Sequence, residues 1–145
     1  MTATFGTPLI GQTEKALNAI LRPQLAGTGL TEPQWVTLSL CVAADGTIDG
    51  DELTGRVAGV LKVSDAHARA RITELAAAQL LQPADNGGSR AKLTDAGRRL
   101  HHQVRTAVSE ITERLWADLP AEDLATAGRV LITVLERANT ELGEG

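Results

Sequence analysis

The sequence has one cysteine, Cys41, in 145 residues. A lone cysteine cannot form an internal disulfide, so a reducing compartment, the cytoplasm, is expected. There is no apolar run of about 18 residues, the minimum for a membrane span. The opening segment, Met1 to Gly6, lacks a basic stretch followed by an apolar one, so no leader peptide is expected. Internal repeats and low-complexity segments are missing too. So are a glycine-rich phosphate loop, a Ser/His/Asp constellation and a metal-ligand spacing. His101 and His102 are adjacent; on a helix they project about 100° apart and do not easily share a metal with the third histidine, His67. An enzyme is not expected, nor a cofactor, a metal or a catalytic residue.

What is present is enough apolar side chain, 43% of the residues, for one real core. The length suits a single domain over 1–145. The formal net charge of −4 argues against a nucleic-acid partner, but its distribution does not. Between Arg56 and Arg105 there are nine basic and four acidic residues, a balance of +5; the remainder holds five and fourteen, a balance of −9. A basic middle between acidic ends can form a local phosphate-binding patch, or simply an unevenly charged solvated surface.

Helical periodicity dominates. The first helix is expected over about Pro8 to Leu21, ended by Pro23 and Gly27-Thr28-Gly29. The second opens with Thr31 as N-cap and Gln34 as its reciprocal partner, with Pro33 in the first turn. Asp45-Gly46 closes it. A third helix covers roughly Asp51 to Leu61, capped either by Asp49 or by Thr54. Thr47-Ile48 before it suits a short strand. The fourth starts at Ser64, with Asp65 in its first turn, and sets Ala68, Ile72, Leu75 and Gln79 on one line. Leu80 to Pro83 and Arg90 to Leu93 flank the turn cluster Ala84 to Ser89 and form the only good hairpin signal. Thr94 caps a long helix, and Leu119-Pro120 separates it from a last one, with Pro120 expected at its first position.

Two short helices joined by the tight step Leu61-Lys62-Val63-Ser64, the second carrying outward basic and polar groups, suit a helix-turn-helix. A basic hairpin directly after it suits a wing. The stretch Val57-Ala58, Leu61, Val63-Ser64, Ala68, Ile72, Leu75, Leu80-Leu81 and Leu93-Thr94-Asp95-Ala96-Gly97-Arg98 resembles the MarR-type family (multiple antibiotic resistance regulators). The Leu-Thr-x-x-Gly element is its most specific piece. The resemblance implies a mostly α fold with a small β-hairpin wing, a winged helix-turn-helix. It places a DNA-binding lobe over 31–93 and dimerisation helices over 5–25 and 94–142. It further implies a homodimeric transcription regulator, a repressor, that binds double-stranded DNA at a pseudo-palindromic operator.

By position, the resemblance assigns Ser64, His67, Arg69 and Thr73 to the DNA-facing side of the fourth helix. Arg71 falls between its apolar and outward faces. Arg90 matches a wing arginine, and Lys92 suits a phosphate contact by its charge. Arg98, Arg99 and Arg105 suit a solvated face or dimer salt bridges. Relatives often bind small aromatic effectors, and Trp35 either lines such a cavity or packs in the core or the dimer. Two departures stand out. Gln79 replaces a glycine at the end of the fourth helix, so that end is expected to differ. The wing is short, which puts a partnership of Asp85 with Arg90 in doubt. Cys41, among apolar neighbours, is expected to be a buried structural thiol. A second reading is a winged-helix protein-interaction or ligand-binding module without specific DNA binding.

Overall fold

The computed structural model describes residues 4–83 and 90–143. Their elements follow in the order α1 (Thr7–Ala26), α2 (Glu32–Ala43), β1 (Thr47–Asp49), α3 (Gly50–Leu61), α4 (Asp65–Ala77), β2 (Leu81–Pro83), β3 (Arg90–Leu93), α5 (Asp95–Trp116) and α6 (Ala121–Glu141). The chain forms two compact units, 1–108 and 109–145. Among the described residues no helix is long and apolar enough to cross a membrane.

α1 is longer than its sequence signals suggest. Pro23 lies inside it rather than ending it. A proline in mid-helix removes one amide donor and crowds the carbonyl four residues back, yet the helix goes on for another turn and buries Leu25 at 3% exposure. It stops where Thr28 donates both its amide and its hydroxyl to the Leu25 carbonyl, at 2.9 and 2.7 Å.

α2 begins with the expected capping box: Gln34 N donates to Thr31 Oγ1, and Thr31 N donates to Gln34 Oε1. It ends where Asp45 and Gly46 take positive φ angles of 62° and 86°. The open question at the start of α3 resolves in favour of Asp49. Its carboxylate accepts from the amides of Asp51 and Glu52, both at 3.1 Å. Thr54 is buried and donates to the Gly50 carbonyl instead. The turn into α4 is made by Lys62, left-handed at φ 58°, and Ser64 caps α4 as expected.

The apolar faces of α2, α3 and α4 meet in one core with the strands. Leu38, Cys41, Ile48, Leu53, Val57, Ala68, Leu75, Leu80, Leu81 and Leu93 form it. The hairpin strands are joined by β1 into a three-stranded antiparallel sheet of order β1-β3-β2. Its register pairs Ile48 with Ala91, Asp49 with Arg90 and Gln82 with Lys92. Pro83, which has no amide to donate, sits on an edge strand. The turn cluster Ala84 to Ser89, and with it the Asp85–Arg90 partnership, lies outside the described residues.

α4 does not carry Gln79 on its apolar line. The helix stops at Ala77, and Gln79 takes the left-handed conformation at φ 64° that a glycine would favour. Gln79 N donates to Ala76 O, and Leu80 N donates to Leu75 O, each at 3.0 Å. This is the glycine-type helix ending built without glycine. The Leu-Thr-x-x-Gly element follows from it. The Thr94 hydroxyl donates to the carbonyls of Gln79 and Leu80 at 2.8 and 3.1 Å, and accepts from Gly97 N at 2.9 Å. Thr94 N also donates to Leu80 O, at 3.1 Å. A Cβ on Gly97 would overlap the Leu80 carbonyl and stand 2.9 Å from Leu93 Cδ1.

In the second unit, 109–145, Pro120 caps α6 one position ahead of the first helical residue where it was expected. No residue of α6 is buried, and Leu124, Val130, Leu131, Ile132, Val134 and Leu135 are exposed.

Two stability outcomes follow. Gly97→Ala should destabilise the protein by about 3 kcal/mol, because backbone rather than a flexible side chain must move. Gln79→Gly should raise stability by up to about 1 kcal/mol by relieving a left-handed non-glycine residue. Urea unfolding followed by circular dichroism measures both.

Candidate nucleic-acid interface

Side chains of α4 divide by helical geometry. Ala68 and Leu75 are fully buried and Ile72 packs on the core. Ser64, His67, Arg69 and Thr73 are exposed. The first three therefore gather at or near the N-terminal end of the helix, with Thr73 two turns further on. Ser64 Oγ accepts from His67 N at 3.2 Å and lies 2.8 Å from His67 Nδ1. The Arg69 guanidinium reaches across to α3 and lies 3.4 Å from Asp51 Oδ1. Both partners are exposed, so this pair contributes little to stability.

Arg71 is placed differently. Its side chain is 26% exposed and turned along α4, where Nε lies 2.8 Å from Glu74 Oε1, one turn on. Nη2 donates to Glu74 Oε2 at 3.0 Å; Nε itself is buried without an aligned hydrogen bond. Gln34, the capping residue of α2, donates from Nε2 to Glu74 Oε1 at 2.9 Å. The amide of Gln34, then the Arg71 guanidinium, hold the Glu74 carboxyl below its ordinary range. Arg71 thus belongs to a chain of polar contacts that fastens α4 to the start of α2.

In β3 the alternation of a strand sends Leu93 into the core at 3% exposure and places Arg90 and Lys92 on the other face. Arg90 is exposed and stands opposite Asp49 in the ladder. Arg98, in the first turn of α5, lies over Gly46: a Cβ there would stand 2.9 Å from its Nη2. Its charge also reaches Cys41, which sequence proximity did not reveal. Burial nevertheless dominates and pushes the Cys41 thiol up, as fits a fully buried structural thiol.

Trp35 is half-buried and stacked on His101, with ring centroids 4.7 Å apart and planes 13° from parallel. His101 is 8% exposed, and its Nε2 lies 3.2 Å from Ser39 Oγ. Its neighbour His102 points outward. Burial, then the charges of Arg105 and His102, push the His101 pKa down. The sequence reading found neither this stack nor the Asp51–Arg69 contact. Trp35 and His101 are 66 positions apart, and Asp51 and Arg69 18 apart, on separate helices, so no local pattern joins them.

No protein-family model matches the sequence, and no curated protein does. Solved structures do. A mutant of MarR from E. coli in complex with operator DNA is 24% identical, covers 88% of this chain and 91% of its own, and superposes with a TM-score of 0.69. NadR in complex with 4-hydroxyphenylacetate is 23% identical, with coverage of 92% and 98% and a TM-score of 0.72. CouR from Rhodococcus jostii RHA1, bound to p-coumaroyl-CoA, is 17% identical, with coverage of 88% and 89% and a TM-score of 0.74. The fold is therefore the MarR-type winged helix, with six helices and a small three-stranded sheet among the described residues.

Because His101 is buried with a lowered pKa, the unfolded chain binds more protons than the folded one below the ordinary histidine value of about 6.5. The contribution of neutral His101 should be complete above that value and fall away as pH drops through the folded pKa. Urea midpoints measured between pH 5 and 8 should show this loss on the acid side, and His101→Gln should flatten it.

Proposed function

We propose that the protein is a sequence-specific DNA-binding transcription regulator, a repressor, acting as a cytoplasmic homodimer on a pseudo-palindromic operator. The observation that carries this is the N-terminal end of α4. A side-chain-capped helix presents His67 and Arg69 to solvent directly after a helix-turn-helix step, with β3 supplying Arg90 and Lys92. A helix of this kind fits the major groove, where its first residues reach base edges. Phosphate contacts from Arg90 and Lys92 would fix register without reading sequence. Arg71, held by Glu74, serves the placement of α4 rather than the reading surface. The solved MarR complex with operator DNA supports the reading.

The lobe over 31–93 would bind DNA, and the helices over 5–25 and 94–142 would form the dimer. Exposed apolar residues along α6, with Leu115, Trp116 and Leu119 before it, support a helical partner. Two recognition helices would then enter successive major grooves about 34–36 Å apart. A small aromatic effector would act by favouring a dimer with another spacing. The aromatic ligands of NadR and CouR support an effector of that kind, and Trp35 is the residue proposed to meet it.

Selection from a random duplex pool, followed by fluorescence anisotropy, tests the reading. Specific binding should weaken steeply with salt. His67→Ala with Arg69→Ala should bring affinity for the selected site toward that for random DNA. Arg90→Ala should weaken both alike. An intact dimer that enriches no sequence would favour the protein-interaction reading instead.

A further inference from the structure

The Ser64–His67 contact settles more than the start of a helix. We propose that Ser64 is a positioning residue that holds the neutral His67 imidazole with its proton on Nε2, so that His67 offers a donor and reads N7 of a purine in the major groove. This rests on the DNA-binding reading given above.

The first argument is donor arithmetic. A serine hydroxyl has one proton and two lone pairs. One lone pair of Ser64 Oγ is taken by His67 N, the capping bond at 3.2 Å. The hydroxyl proton needs an acceptor, and His67 Nδ1 stands 2.8 Å away, an ordinary length for a hydroxyl donor. A lone pair on Nδ1 satisfies both groups. A proton there would point two donors at one oxygen and leave the hydroxyl proton to solvent.

The second argument is the field of the helix. His67 sits in the first turn of α4, where unpaired amide groups and the helix dipole make the surroundings positive. That field favours an acceptor facing the helix end and a proton on the far side of the ring.

The far side is Nε2. His67 is exposed, and among the described residues Nε2 has no hydrogen-bond partner. An Nε2–H donor matches purine N7 and guanine O6 or thymine O4, and is rejected by the amino groups of cytosine and adenine. Of the major-groove acceptors it matches, N7 can be deleted without disturbing base pairing, which makes it the sharp test. Ser64 thus joins the specificity of the helix without touching a base.

The experiment has two arms on the full-length protein. The first needs no DNA. Long-range proton–nitrogen correlation spectra at pH 8 should show a protonated Nε2 and an unprotonated Nδ1 for His67. Ser64→Thr, which keeps the hydroxyl, should preserve that pattern. Ser64→Asp caps a helix equally well but offers only acceptors. It should move the proton to Nδ1 while the thermal midpoint stays close to that of the wild type. A merely structural cap would leave the tautomer alone in all three proteins. A proton on Nδ1 in the wild type overturns the proposal.

The second arm uses the duplex obtained by selection, with 7-deazapurines substituted one position at a time. One substitution should weaken wild-type binding about 3- to 10-fold, the worth of one hydrogen bond, and should cost His67→Ala nothing further. Equal losses in both proteins at every position overturn the base-reading half. If no duplex is enriched, the DNA-binding reading itself fails and takes that half with it, while the spectra still decide what Ser64 does to His67.

Discussion

The carbonyl oxygens of Gln79 and Leu80 sit at the junction on which the winged-helix lobe depends. They mark the point where α4 stops, the wing begins and α5 starts. The Thr94 hydroxyl joins all three at once: it donates to both carbonyls and accepts from Gly97 N. Thr94 N adds a second bond to Leu80 O. For that approach α5 must come within contact of a backbone carbonyl, which is why position 97 has no side chain. Leu80, Leu81 and Leu93 then close the core beneath the strands. The direction of α4 is thereby tied to the root of the wing and the start of α5 through a few backbone groups. The opposite end of α4 begins with the Lys62 turn and the Ser64 cap. The N-terminal end is exposed, with Arg69 reaching Asp51 of α3, and the far end is fixed.

Polar contacts add a second restraint on the same helix. Arg71, Glu74 and Gln34 connect the flank of α4 to the capping box of α2. Apolar packing alone fixes how deep a helix sits but resists rotation about its axis less well. A charged pair with a directional hydrogen bond resists that rotation, because turning α4 would separate Glu74 from the Gln34 amide. The angular position of His67 and Arg69 follows from that.

Features that are local in sequence were legible there. Thr31 with Gln34, Ser64 before Asp65, and Thr94 with Gly97 each lie within one helical turn, and each appears as the spacing suggests. Signals of intrinsic preference were less decisive. Pro23 argued for a helix end and Gln79 against a left-handed one; the fold overrode both. In each case one residue's modest penalty was outweighed by what lay beyond it, Leu25 packing in the first and the Thr94 junction in the second. Contacts between distant elements left no trace. Arg71 and Arg69 are two positions apart on one helix; helical spacing set Arg71 between the two faces but did not show its partner. Arg71 pairs with Glu74, which meets Gln34 of α2, and Arg69 reaches Asp51 of α3; the packing of three helices sets those partners. The same holds for His101 against Trp35. The chemistry of the candidate site was legible as residue types, and the partners that brace α4 were not.

Those partners bear on how an acidic protein would select among DNA sites. Arg69 faces Asp51, and Arg90 stands opposite Asp49 in the sheet. Carboxylates beside the cations proposed to face DNA lower the local positive potential, and so would weaken attraction to phosphate wherever it occurs. An exposed Arg69–Asp51 pair is worth only about 0–1 kcal/mol. A correct base edge with two aligned acceptors, worth about 1–3 kcal/mol, outbids it. A wrong edge does not, and there Arg69 stays with Asp51. The acidic partners would thus reduce binding to random DNA more than binding to the operator. On this reading the net charge of −4 is no obstacle to DNA recognition. It shifts the balance from affinity for any duplex toward discrimination between duplexes.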